Sequence, residues 1–212
     1  MSSVGKKGGR TADPGKREAI LDAATRAFFQ TGFAATAIEQ VAADAGVSKV
    51  TIYNHFGDKR GLFVAAVETE CEKLRDQFAV APDMRGSLRD RLTAIGEAMV
   101  TFLSRPEMVQ FERRIAAETE HDPAIGAAFL ASGPHRMKAA FAGLMRAMVD
   151  AGEVRIDDVD LAVEQFASMC KGMGDLERRF GHAGNATRDR ERIEGAVEVF
   201  CRAYAVDKCE RK

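Results

Sequence analysis

An all-α protein is expected from three features of the 212-residue chain. Ala, Glu, Arg and Met are abundant beside five prolines, two tyrosines and no tryptophan, a composition that favours helices over strands. Apolar residues recur three and four positions apart through most of the sequence, the spacing of one helix face. From Ser87 onward a proline or glycine separates each such segment from the next, as helix starts and stops do. Nine or ten helices and no strand are expected.

Residues 1–15 are rich in Gly and Ser and carry Lys6, Lys7 and Arg10 against Asp13. Such a stretch builds no core. It reads as a flexible basic arm for phosphate or minor-groove contacts, or as a plain solubilising tail. Lys16 to Thr31 follows as a helix, with Ile20, Ala24, Ala27 and Phe28 inward and Lys16 and Arg17 at its start. Gly32 ends it, and Phe33 is placed to seal a small core.

The stretch over 36–59, TAIEQVAADAGVSKVTIYNHFGDK, organises the rest. Thr36 and Glu39 match a capping box. Ile38, Val41 and Ala42 then give a short apolar face, and Gly46 suits the left-handed conformation beyond a helix C-terminus. Ser48 offers the next N-cap. Two short helices joined by a tight glycine-containing turn make a helix-turn-helix signature. In the second helix Val47, Ile52 and Phe56 face inward, which gathers Lys49, Val50, Tyr53 and Asn54 on the outer side. That mixture suits a DNA major groove: Lys for phosphate or guanine, Asn for adenine, Val for a thymine methyl, Tyr for phosphate. Thr36, Thr51, His55 and Lys59 flank this face and are expected on neighbouring phosphates.

Asp58 caps an amphipathic helix over 58–81 that carries Leu62, Phe63, Ala66, Val67, Leu74 and Phe78 and joins this unit to the body. Pro82 and Gly86 close it. Ser87 with Asp90 makes a further capping box, for a helix to Ser104. Pro106 opens a helix to about Glu120, Pro123 a short one to Gly133, and Pro134 a Met-rich one to Gly152. Asp157 or Asp158 starts a long helix to about Arg179, and Thr187 or Asp189 the last, to about Val206.

The series Phe29-x-x-x-Phe33-x-x-Thr36-x-Ile38-x-x-Val41-Ala42-x-x-Ala45-Gly46-Val47-Ser48-Lys49-x-Thr51-Ile52-Tyr53-x-His55-Phe56-x-x-Lys59-x-x-Leu62 resembles the DNA-binding domain of the TetR family of bacterial transcriptional regulators. Two positions depart from the family pattern. Val50 stands where a small residue, often glycine, is usual, and is expected to alter the bases read. Gly61 stands where an acidic residue is common, and is expected to loosen the start of the fourth helix. RPE at 105–107, AETEHDP at 117–123, Phe129, GP at 133–134 and AGEVRIDD at 151–158 are similar to the C-terminal domain of the AefR-like subfamily. The resemblance implies an arm (1–15), a three-helix DNA-binding domain (16–62), a helical effector-binding and dimerisation domain (63–206) and a tail (207–212).

Charge agrees with that division. Residues 1–60 hold nine Lys/Arg against six Asp/Glu, or +3, and the remainder 22 against 26, or −4. A basic end on an acidic body is expected when only one end meets nucleic acid. No stretch approaches the roughly 18 apolar residues of a membrane span, the N-terminus lacks a secretory apolar core, and Cys71, Cys170, Cys201 and Cys209 show no C-x-x-C spacing. A reduced, cytoplasmic protein is expected. His55, His121, His135 and His182 are scattered, and the single E-x-x-H of Glu118 and His121 is half of what a di-iron bundle needs. Neither an enzyme, a metal nor a cofactor is expected.

Met99, Phe102, Met108, Phe111, Phe129, Met137, Phe141 and Met145 fall on inward faces of the body. Such residues fill ordinary cores and also line pockets for varied apolar ligands, because Met repacks readily; the resemblance favours a pocket for a small apolar or amphipathic effector. Val159, Val163, Phe166, Met169 and Met173 form one stripe near the C-terminus, and Ile193, Val197, Phe200 and Tyr204 another. Small residues such as Gly172 and Gly174 would let helices approach closely, and a four-helix interface between two copies is expected. The chain then reads as a homodimeric repressor released from a near-palindromic operator by an effector. The competing reading is a helical small-molecule-binding protein without DNA contact.

Overall fold

The computed structural model describes residues 14–80 and 86–206. These form ten helices: α1 Pro14–Ala35, α2 Ile38–Asp44, α3 Lys49–Phe56, α4 Lys59–Val80, α5 Leu88–Leu103, α6 Pro106–Thr119, α7 Pro123–Ser132, α8 Pro134–Asp150, α9 Val159–Arg179 and α10 Ala186–Tyr204. Among the described residues there is no strand beyond one antiparallel bridge, Val154 to Ala205. The basic arm (residues 14 and 15 apart), Pro82 and the tail lie outside the described residues.

Local signals set most of the boundaries. Ser48 Oγ accepts from the Thr51 amide at 3.2 Å and starts α3; Asp58 Oδ1 accepts from the Gly61 amide at 2.7 Å and starts α4. Ser87 and Asp90 make the reciprocal box at the head of α5, and Pro106, Pro123 and Pro134 each occupy a first helical turn. Gly46 and Gly57 take positive φ, 65° and 80°, on either side of α3, a conformation that costs a residue with a Cβ. A Cβ on Gly61 would overlap the Phe56 carbonyl, so the turn into α4 is close at that point. α10 is capped by Asn185, which accepts from the Arg188 amide, and not by Thr187 or Asp189. Asp189 is held elsewhere, by the buried Arg178 at 3.0 Å.

Two apolar cores result. The first unites Ile20, Phe28, Val41, Ile52, Leu62 and Phe63 with Met108, Phe111, Ile115 and Ile125. It joins α1–α4 to α6 and α7, and Phe29 stacks on Phe111 at 4.3 Å. The packing therefore runs across residue 62. The second core joins α5, α8, α9 and α10 through Leu92, Met145, Phe166, Ile193, Val197 and Phe200.

This second core corrects the expected dimer stripes. Val163, Phe166, Ile193, Val197 and Phe200 are buried within their own subunit, with Val159, Met169 and Tyr204 half-buried against them. Of the expected residues only Met173 is exposed, at 62%. The periodicity is real, but it turns inward, because α9 and α10 pack on each other and α10 on α5. Gly172 and Gly174 likewise serve this packing: added side chains there would meet Arg192 of α10.

Candidate nucleic-acid interface

Helix α3 is an eight-residue rod pinned from beneath. Ile52 is fully buried, while Val47 and Phe56 pack against the same core. With Ser48 capping one end and Gly57 closing the other, the outward face is fixed. Val50 is 66% exposed and Tyr53 40%, and Lys49 and Asn54 are exposed beside them. Among the described residues no side-chain hydrogen bond engages Tyr53 or Asn54, which leaves their polar atoms to solvent or to a ligand.

Lys49 is not idle. Its Nζ donates to Glu39 Oε1 on α2 at 2.6 Å, and this hydrogen-bonded pair holds the carboxyl below its usual range and the ammonium above its own. Glu39 is thus a reading-face neighbour that the sequence disguised as half of a capping box. Arg17, exposed at the start of α1, lies over the Phe56 ring at 5.6 Å, so a cation of α1 borders the C-terminal end of α3.

Two of the four flanking residues bond to the end of α1. Thr36 is buried, and its hydroxyl donates to the Gly32 carbonyl at 2.6 Å; the residue at the N-cap of α2 is Ala37. The capping box over 36–39 does not form, and the Thr36 hydroxyl is not presented to phosphate. Lys59 Nζ donates to the Ala34 carbonyl at 3.0 Å and sits over the Phe33 ring at 4.8 Å. Burial lowers its pKa. Its ammonium ties α4 to the end of α1 with one of its three donors. Thr51, half-buried, shares its hydroxyl with Ser48 at 2.9 Å. His55 is half-buried at the rim with its ring 5.9 Å from that of Phe56.

The eight candidate effector contacts do not line one space. Met108 and Phe111 are buried in the first core, with Phe102 and Phe129 against it, whereas Met145 is buried in the second, with Met99 and Phe141 against it. Met137 is half-buried on α8. They divide because α6 and α7 pack with the head while α8 packs with α9. An open cleft of about 330 Å³ lies instead between α9 and α10, lined by Gln165, Ser168, Met169, Val199, Phe200, Ala203 and Tyr204. Burial pushes the Cys71 thiol up to about 11 and the Cys170 thiol to about 12, so both are protonated and unreactive near neutrality. Among the described residues no group of His, Cys, Asp and Glu is arranged to hold a metal, and no helix is long and apolar enough to cross a membrane.

A capped, outward-facing helix on a three-helix head, carried by a larger helical body, defines a helix-turn-helix DNA-binding regulator. Residues 20–66 match the pattern described as bacterial regulatory proteins, tetR family, and residues 90–206 that of the AefR-like transcriptional repressor, C-terminal domain. The chain belongs to the TetR family and is a DNA-binding transcriptional regulator, not an enzyme. It is similar to YezE, an uncharacterised HTH-type transcriptional regulator of Bacillus subtilis strain 168, at 24% identity over 183 residues, 85% of this chain and 91% of YezE. In structure it is similar to a TetR-family regulator from Mesorhizobium loti MAFF303099, with 26% identity and a TM-score of 0.76 over 93% of this chain and 100% of that one. It is also similar to the flavonoid-responsive regulator FrrA, with 28% identity and a TM-score of 0.71 over 90% and 97%.

Proposed function

We propose that the protein is a homodimeric repressor that reads a near-palindromic operator with α3 and leaves it when a small apolar or amphipathic effector binds the body. The observation that carries the DNA reading is the outer face of α3: Lys49, Val50, Tyr53 and Asn54 stand together, exposed, on a helix whose opposite side is locked by Ile52. Lys49 and Tyr53 serve phosphate or guanine, Asn54 an adenine edge and Val50 a thymine methyl. Thr51 and His55 border that face. Repression is supported by the description of the C-terminal pattern.

Dimerisation uses the side of α9 and α10 turned away from the second core. Leu161 and Leu176 on α9, Phe180 just past its end and Val199 on α10 are exposed, Phe180 at 78%, and the cleft of Gln165, Ser168 and Ala203 lies between the two helices. A two-fold axis through this face would set the two reading helices in successive major grooves, about 34–36 Å apart. For the effector, the seam between the cores is favoured. Met99 and Phe102, one turn apart on α5, belong to different cores, so a ligand inserted there pries the cores apart and shifts α4. The name of FrrA supports an aromatic, amphipathic compound. Such a ligand acts only by its unequal affinity for the DNA-competent and DNA-incompetent states.

The test is selection of bound duplexes from a random-sequence pool by the wild-type chain, followed by gel shifts with Tyr53→Ala and Lys49→Ala. Recovery of a two-part inverted motif and weakened binding by both variants are expected. Recovery of no motif, or unchanged affinity for both variants, would remove the reading.

A further inference from the structure

We propose that Arg114 and Glu118 of α6 are positioning residues for DNA reading, which fix the pose of the helix-turn-helix head on the body by clasping the backbone of α1 where Gly32 breaks it. The proposal rests on the dimeric, operator-reading function given above and deepens it.

Gly32 has φ 87° and ψ −179°, conformations foreign to a helix, yet helical turns lie on both sides of it. A break of this kind leaves amides and carbonyls in need of partners. Charged side chains from beyond the head supply them. Arg114 Nη1 donates to the Phe29 carbonyl at 2.7 Å, and the Ala34 amide donates to Glu118 Oε2 at 3.0 Å. Lys59 of α4 takes the Ala34 carbonyl. The fit is close: a Cβ on Gly32 would overlap Glu118 Oε1. Arg114 and Glu118 are four residues apart and so share one face of α6.

α6 also reaches α9. Glu112 pairs with Arg179 at 2.9 Å, and Arg179 pairs with Asp175 at 3.3 Å. Glu112 is largely covered, and that burial raises its pKa against the pull of Arg179. Just past α6, Asp122 pairs with Arg60 at 3.0 Å. One helix thus holds the element proposed to form the dimer face and the joint that leads into α2 and α3. Its clasp on Phe29 and Ala34 sets where each reading helix lies relative to the two-fold axis.

The test uses the full chain and its Glu118→Ala and Glu118→Gln variants, the second of which keeps an oxygen to accept from the Ala34 amide. Hydrogen exchange of a peptide spanning 30–37 in free protein should be at least tenfold faster in Glu118→Ala and restored in Glu118→Gln. The duplex selected by the wild-type chain is then presented with its spacer lengthened or shortened by one and two base pairs. Glu118→Ala should lose at least tenfold affinity at the selected spacing, less than twofold on an isolated half-site, and should discriminate poorly among spacers. Unchanged exchange overturns the clasp. Faster exchange with a spacing preference as sharp as wild type, or equal loss on half-site and full site, overturns the positioning role. A wild-type chain that selects no two-part duplex removes the dimeric reading and this proposal with it, an outcome separable from unchanged exchange alone.

Discussion

The reading helix α3 and the paired helices α9 and α10 both leave apolar side chains in water, but among different neighbours. On α3, Val50 and Tyr53 stand beside Lys49 and Asn54, with Thr51 and His55 at the edge. Along α9 and just past its end, Leu161, Met173, Leu176 and Phe180 run with the uncharged Gln165 and Ser168, facing Val199 and Ala203 of α10. A surface for a polyanion needs cations and donors that stay hydrated until phosphate and base edges replace water. A surface for a second protein copy is depleted of charge at its centre and gains from apolar area removed from water. Amphipathic periodicity alone does not separate the two; the polar residues between the apolar ones do.

Salt should expose that difference most strongly. With six to ten phosphates contacted by the two heads, raising salt from 50 to 200 mM should weaken operator binding about 10³- to 10⁵-fold through counterion release. Dimerisation, followed by sedimentation over the same range, should barely change. A flat DNA response would mean that the α3 face does not meet phosphate. The next largest effect should come from Leu161→Glu combined with Val199→Glu. Charges buried at the centre of an apolar contact should give monomers, and loss of the second head should cut operator affinity about 100-fold or more. A variant that remains dimeric by light scattering would place the interface elsewhere.

Single reading residues come next. Tyr53→Ala and Lys49→Ala should each weaken operator binding about tenfold across sequences, with melting temperature unchanged because both side chains lie outside the core. Asn54→Ala should instead act at one base pair, removing about 1–3 kcal/mol of discrimination there. A binding-site profile that relaxes nowhere would reassign Asn54 to the backbone.

Where the sequence was legible, the cause and its effect lay within four residues of each other. Gly46, Ser48, Asp58 and the Ser87–Asp90 box act on their own backbone, so their spacing predicts the helices they bound. Thr36 departs from that pattern although its partner is just as near: Gly32, four residues earlier, turns the chain so that its carbonyl accepts from the Thr36 hydroxyl, and Ala37 takes the N-cap of α2. The bond from Lys59 to the end of α1, 25 residues earlier, lies beyond the reach of local spacing. The stripes of α9 and α10 are apolar as expected, but Val163, Phe166, Ile193 and Val197 are covered by their own subunit. A period near 3.6 says that a face is covered and not whether the cover is the same chain or another. The division of the Met and Phe residues between two cores was likewise invisible, because it depends on α6 and α7 joining the head.

Val50 gives the smallest and most local prediction. It projects 66% exposed from the second position of α3. A valine there adds methyl groups that only another apolar group can shelter in a groove, and the thymine C5-methyl is the one the major groove offers. Val50→Gly removes that contact and, so near the helix start, also costs helix propensity of up to about 1 kcal/mol. Val50→Ala separates the two effects, since alanine keeps the helix and loses the methyls. Burial of about one to two CH₂ equivalents sets the scale at roughly 1 kcal/mol, or about fivefold in preference for thymine at a single position. Affinity for duplexes lacking that thymine should be unchanged. Equal loss on thymine and cytosine at every position would show that Val50 shapes the helix and reads no base.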